Sequence, residues 1–476
     1  MEPVARSLDR RPPDLPSRLA TAVAEVRPAA ASAAARALQV AARGGTDALR
    51  GLASPSIVWV PRASGDDAWS FVGWGTAARA DGEGADRLAD VQARAERVWS
   101  RVDRAGALPI APRLFGGFAF DAGGDVRRET ELGRAWAPFG DASFVLPRLL
   151  FGCSGDRAFV AAFAPEPEVA SALADAARRA LDAHDGTKQQ TVFEPAAASG
   201  PPAAPTFEDG GEQAWSDLVS AAVSEIERRS FQKVVLCRTR RVAFSREPDL
   251  LRALAVLEAR HPACARFFFE HGGATFLGAT PERLVLVRGR RAFTEALAGS
   301  LPRRPGEDDA AACARLLASE KDLAEHAFVV DAIRAALAPA CDALSIPDAP
   351  RVRTLPYIHH LATPITAALA GRAHVLDLAA RLHPTPALCG APRAEARAFL
   401  LAREPEPRGW YGGGAGWIDA SGDGEIAVAI RSALVLPRSA WIYAGAGIVA
   451  GSEPASEYKE TTVKERAMRE ALEAAS

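Results

Sequence analysis

The chain has 476 residues, 48% of them hydrophobic and 24% charged, with a formal net charge of −2. That mix belongs to a soluble globular protein with a large core and excludes the disordered, collagen-like and membrane-spanning classes. With no basic block or basic face, nucleic acid and anionic membrane are not expected as partners, which leaves a small molecule.

The first 45 residues are rich in Ala and Arg, interrupted by Asp9, Asp14 and Glu25, and no apolar run of signal-peptide length follows. Segment 1–45 is therefore expected to be flexible, with neither export nor a membrane anchor. In part 46–194, Ser56 to Val60, Ser70 to Gly73, Leu114 to Phe120 and Ser143 to Phe151 read as strands, and Glu168 to His184 as a helix. Residues 195–205 carry four prolines and no aliphatic side chain larger than Ala, the composition of an extended linker.

Region 206–476 opens with a helix from Glu212 to Arg229. Strands follow at Lys233 to Phe244, Arg266 to Glu270, Ala274 to Gly278 and Arg283 to Val287, then one long helical segment from Asp308 to Leu337. Shorter helices are expected at Val375 to Leu382 and Arg393 to Arg403, strands at Gly424 to Leu436 and Ala440 to Tyr443, and a last helix from Pro454 to Ala474. Strands grouped between long helices, without strict alternation, favour antiparallel sheet with helices packed outside. The six cysteines form no C-x-x-C pair and no zinc spacing, as expected for reduced thiols in a cytoplasmic protein.

The 57 basic residues are 52 arginines and only five lysines, at 188, 233, 321, 459 and 464. A lysine retained in so arginine-rich a chain is a candidate for work that a guanidinium cannot do. Strand alternation puts Lys233 on a face with Val235 and Cys237, where lost hydration would make its amine a proton acceptor; a strand-end lysine reaching water is the alternative. Asp322 and Glu325 are three apart on one helix, and Glu457 and Glu460 repeat the spacing on the last. Two such pairs suit a hard cation such as Mg²⁺, although solvated helix charges have the same pattern. Arg431, amid aliphatic residues, needs an anion, either a structural carboxylate or a substrate. The run from Tyr443 to Ala450 superficially satisfies G-x-G-x-x-A, but no second strand follows for a dinucleotide-binding unit. Its glycines instead read as a turn that brings N–H groups close to a carboxylate.

The segments Lys-Val-Val-Leu at 233, Phe-Leu-Gly-Ala-Thr-Pro-Glu-Arg-Leu at 276–284, Glu-Ala-Leu-Ala-Gly-Ser at 295–300, Ser-Glu-Lys-Asp-x-x-Glu-His at 319–326 and His-Leu-Ala-Thr at 360–363 occur in that order. They are followed by His-Pro-Thr-Pro-Ala-Leu-Cys-Gly at 383–390, Ala-Ile-Arg-Ser-Ala at 429–433, Ala-Gly-Ala-Gly-Ile-Val at 444–449 and Glu-Tyr-Lys-Glu-Thr at 457–461. This ordered set resembles the chorismate-utilising enzymes, and within them the isochorismate synthases of menaquinone and siderophore biosynthesis. Phe115-Gly-Gly-Phe-Ala-Phe-Asp in the first part is similar to the family as well.

The resemblance implies an α/β chain of the α+β type: a large, mainly antiparallel two-sheet sandwich with helices outside, to which the first part also contributes strands. It implies that Lys233 is the general base activating water at C2 of chorismate and Glu282 the acid protonating the departing C4 hydroxyl. Glu325 and Glu460 would hold Mg²⁺, supported by Glu457 and Asp322. Tyr411, Arg431, Gly445, Gly447 and Lys464 would contact substrate carboxylates, with Ser300, His360 and Ala387 also lining the substrate site. Lys at 233, where anthranilate synthases carry Gln, makes water rather than ammonia the nucleophile, so no glutaminase subunit is expected. Ala298 stands where aminodeoxychorismate synthases carry a nucleophilic Lys. Salicylate synthases share Lys233 and Glu282, but the segment from His383 to Leu388 is more similar to isochorismate synthases. A silent chorismate-binding protein would have lost Lys233, Glu282 or a metal-binding Glu, and none is lost. Cys389, where Ser is common, and Gly414, where Pro is common, are small departures.

Overall fold

A computed structural model describes residues 18–476 except 44–46, 50, 53, 63–67, 104–107, 123–128, 184–203, 209–210 and 305. Within these residues the chain builds a sheet of twelve strands and another of ten, with neighbouring strands antiparallel. The larger sheet runs Ala20–Glu25, Arg157–Ala164, Leu149–Ser154, Ser70–Trp74, Ile57–Val60, Ala265–His271, Ala274–Thr280, Ser432–Val435, Ser439–Ile448, Lys233–Ala243 and Gly390–Ala391, with Thr206–Glu208 also pairing with Lys233–Ala243. The smaller runs Cys341–Ser345, Ile358–Leu369, Arg291–Pro302, Arg283–Arg288, Gly424–Val428, Gly414–Asp419, Arg113–Phe118, Ala142–Leu146 and Ala78–Gly82, with Arg351–Thr354 pairing with Ile358–Leu369.

Residues from both sides of the Pro-rich segment 195–205 enter both sheets, as the resemblance implies. The segment itself, apart from Ala204 and Pro205, lies outside the described residues, as does Lys188. Apolar faces join the layers: Phe71 of the larger sheet meets Phe115 of the smaller with ring centroids 5.1 Å apart. Each such fully buried aromatic stabilises the fold by about 2–3 kcal/mol. Helices Ala31–Arg43, Pro167–Ala183, Leu250–Arg260 and Pro454–Ala475 share a second buried cluster with the larger sheet. Arg87–Trp99, Glu320–Leu337 and Val375–Leu382 pack on the smaller sheet.

Four expectations about single elements are corrected. Ser143 to Phe151 is two strands in different sheets, because Pro147 lies between Leu146 and Leu149 and cannot donate to a ladder. Gly424 to Leu436 is likewise two strands in different sheets, and Arg431 sits at the crossing with φ 54° rather than on a strand. The helix expected from Asp308 to Leu337 breaks after Leu317; Ser319 caps its second half, accepting from the Asp322 N–H at 3.3 Å. Strand Ser439–Ile448 continues through Gly445 and Gly447, where a turn was expected, because ten consecutive residues pair with Lys233–Ala243.

The described part of segment 1–45, residues 18–43, is more ordered than expected. Residues 1–17 lie outside the described set, but Ala20–Glu25 pairs along Phe159–Ala164, and Ala31–Arg43 buries Ala34, Ala35 and Leu38. An Ala-rich face can pack closely against neighbouring helices, which composition alone conceals.

Candidate active site

Two neighbouring strands of the larger sheet, Ala274–Thr280 and Ser432–Val435, connect to the smaller sheet through short crossings side by side. The first carries Pro281 and Glu282, the second Ile430 and Arg431. They are hydrogen-bonded together: Val428 N–H donates to the Glu282 carbonyl at 3.0 Å, and Ala279 N–H to the Arg431 carbonyl at 3.1 Å. Beside them lies a cavity of about 200 Å³. All fourteen residues singled out from the sequence line it.

Lys233 begins its strand, with only 10% of its side chain exposed, and its Nζ donates to Glu325 Oε1 at 2.6 Å. The expected apolar setting therefore also contains a carboxylate. Gly447 pairs in register opposite Val235, and a Cβ there would lie 3.1 Å from Lys233 Cε. Gly447→Ala is expected to push the amine aside and lower kcat about tenfold, with an unchanged melting curve; an unchanged kcat would show that the amine's place is immaterial.

Behind Lys233, the buried pair Glu404 and Arg408 braces the wall. Arg408 donates to Glu404, to Leu388 O at 2.9 Å and to Val235 O at 2.6 Å, while Glu404 Oε1 accepts from the Cys237 N–H at 2.8 Å. Ala387 is thereby held at the cavity by the tethered Leu388. Tyr411 stacks on Tyr443 with centroids 4.8 Å apart.

Glu282 is 8% exposed. Burial pushes its carboxyl up to about 8, with the charge of Glu295 adding to the rise, so it holds its proton at neutrality. Arg431 meets no carboxylate within ion-pair distance among the described residues, although a guanidinium so enclosed calls for an anion. Lys464 donates to Glu460 Oε1 at 2.5 Å and to Gly445 O at 3.0 Å.

Ser300 Oγ and His360 Nδ1 share a hydrogen bond of 2.7 Å. Burial, then Arg431 and Lys464, keep this imidazole far below its usual pKa and so neutral. Its Nε2 has no partner among the described residues. A bulge at Gly299, φ 78°, shifts the register beside Ser300, and a Cβ there would stand 3.2 Å from Asp322.

Asp322 and Glu325 approach from one helix, Glu457 and Glu460 from another. Burial raises the Glu457 carboxyl, with Glu460 adding to the rise; Glu460 is lowered despite its burial because Lys464 outweighs it. Among the described residues no three such groups stand close enough to make a ready ion site. The donor set nevertheless fits a hard divalent cation: it is all oxygen, and a positive charge near Glu457 and Glu460 would relieve their mutual repulsion.

Sequence reasoning assigned no role to Glu295, although it heads one of the quoted segments, and gave no signal for Arg62 or Arg353, which contact it. No described helix is long and apolar enough to cross a membrane, and all six cysteines are free.

A family profile described as "Chorismate binding enzyme" matches residues 56–473. The chain is 40% identical over 415 residues to the salicylate biosynthesis isochorismate synthase of Pseudomonas aeruginosa, covering 85% of this chain and 83% of that protein. It is 35% identical over 369 residues to the isochorismate synthase MenF of Bacillus subtilis, covering 76% and 75%. Among solved structures, the menaquinone-specific isochorismate synthase MenF of Escherichia coli superimposes with a TM-score of 0.71 at 25% identity, over 96% of each chain. With a family match across nearly its whole length, and a cavity that gathers all fourteen candidate site residues, the chain belongs to the chorismate binding enzymes.

Proposed function

We propose that the chain is an isochorismate synthase, an isomerase that adds water at C2 of chorismate and expels the hydroxyl at C4. The observation that carries this reading is Glu282, a carboxyl protonated at neutrality, in the same small cavity as the amine of Lys233. Exchanging one hydroxyl for another needs a proton removed from the incoming water and a proton given to the leaving group. Lys233 accepts the first and Glu282 supplies the second, after which proton return resets both.

Chorismate is a dianion. Arg431, Lys464 and Tyr411, with N–H groups of the strand at Gly445 and Gly447, provide the cationic and polar contacts for its carboxylates. Ser300 and His360 line the ring, a neutral imidazole adding no charge there. Asp322, Glu325, Glu457 and Glu460 would hold Mg²⁺, which when bound supplies positive charge to the ring carboxylate. Water as nucleophile requires no ammonia, so the enzyme works without a glutaminase subunit, and the free thiols suit the cytoplasm.

Chromatography of products from chorismate and Mg²⁺ tests the reading. Isochorismate is expected as the sole product, lost with EDTA and restored by added Mg²⁺. Salicylate with pyruvate would make the protein a salicylate synthase, and binding without turnover would make it a silent chorismate binder.

A further inference from the structure

Three segments far apart in sequence converge behind Glu282. Glu295, on strand Arg291–Pro302, is buried, and Arg353 grips it with two nitrogens, at 2.9 Å to Oε1 and 2.5 Å to Oε2. Arg62, contributed by the first part of the chain, donates to Oε1 as well. Both guanidinium groups also donate to the carbonyl of Pro281, Arg62 at 2.8 Å and Arg353 at 3.1 Å. On the other side of the acid, the Arg283 N–H reaches Glu295 Oε1 at 3.4 Å. The two peptide groups flanking Glu282 are thus tied to one carboxylate.

The side chain of Glu282 has no hydrogen bond to protein among the described residues, so its place depends on the backbone beneath it. None of Glu295, Arg62 and Arg353 lines the cavity. A carboxylate with two arginines bound to it costs much to bury unless each group is paired, and here each is.

We propose that Glu295 is a positioning residue for catalysis, acting through Arg62 and Arg353 to fix the place of Glu282. The inference rests on Glu282 being the acid. The charges that face Glu282 come from every element around it: Glu295 disfavours its ionisation, while Arg353, Arg431 and Lys464 favour it. Glu295 is itself held at about 2, its burial overcome by Arg353 and Arg62, so it keeps its charge throughout the working range.

The test is the pH profile of kcat/KM for the full chain with chorismate and Mg²⁺. Glu295→Gln removes a negative neighbour and is expected to move the alkaline limb toward acid by about one unit, whereas Arg353→Gln should move it the other way. In both, kcat falls about tenfold or more while KM changes little. Opposite shifts are a signature that loss of packing does not produce. Limbs that stay in place while kcat falls, or an unchanged kcat, would overturn the proposal.

Should both variants fail to fold, Arg62→Lys keeps the charge but replaces the guanidinium, whose Nη1 serves both Glu295 Oε1 and the Pro281 carbonyl, with a differently placed ammonium. Its kcat is expected to fall about tenfold at constant KM and melting temperature, and an unchanged kcat overturns the proposal. A Glu282→Gln enzyme with wild-type kcat would instead remove the acid assignment itself, which separates that failure from this one.

Discussion

Lys233→Ala is expected to lower kcat about 10³-fold, the span a positioned general base contributes. The amine is placed by the fold: Lys233 starts the strand Lys233–Ala243, opposite Ala391 in register, and its side chain occupies space that Gly447, lacking a Cβ, leaves open. Alanine removes the amine from that point of the wall without disturbing the backbone ladder. Lys233→Arg is expected to be as inactive, since a guanidinium keeps its protons at any working pH. The measurement is isochorismate formation by chromatography, with chorismate-induced thermal stabilisation as the control that binding survives. More than a tenth of wild-type turnover in Lys233→Ala would remove this residue from the chemistry.

Glu282→Gln is expected to cost about 10²–10⁴-fold in kcat and, at the same time, to raise the melting temperature above neutral pH. Both effects come from the burial that pushes its carboxyl up to about 8, with Glu295 adding to the rise. Below that value the native enzyme holds the proton it must give away; above it the acid is spent, so wild-type activity should decline as pH rises through about 8. For stability, an unfolded chain loses this proton near the ordinary glutamate value of about 4.3, while the folded chain keeps it until about 8. Between the two values the folded state binds the extra proton, so stability falls as pH rises through that window and levels off above it. Glutamine has no charge to bury and removes this slope. Melting curves at pH 5 and pH 8.5 should differ less for the variant than for the wild type, and equal differences would mean that Glu282 is ionised in the folded enzyme.

The roles of local pattern and of topology separate cleanly in this chain. The helix Glu212–Glu227 and the strand Lys233–Ala243 were legible because each carries its own period over ten residues or more. The strand breaks at Pro147 and at Arg431 were not, since apolar residues continue on both sides of them and only the packing of two sheets decides which layer each half joins. Among site residues, the motif order pointed to Glu282, Glu325 and Glu460 without showing where their partners lie. That Lys233 meets Glu325, 92 positions away, is a fact of the fold. Arg62 and Arg353 left no trace because an arginine among 52 carries no signal until its carboxylate is seen. The buried stripe of Ala31–Arg43 is hidden for a related reason: it is mostly alanine, which favours helix but carries too little apolar surface to mark a core-facing side in sequence.

The paired crossings at Glu282 and Arg431 also bear on how the protein comes into being. Their mutual hydrogen bonds join residues about 150 positions apart, between strands that belong to both sheets. Such a contact closes a long loop and forms only after the sheets have docked. A growing chain that has emerged as far as Glu282 therefore has its acid but no anion site, and gains one only when the last hundred residues arrive. Competence comes late and all at once, so a half-made copy in the cell is an inert one.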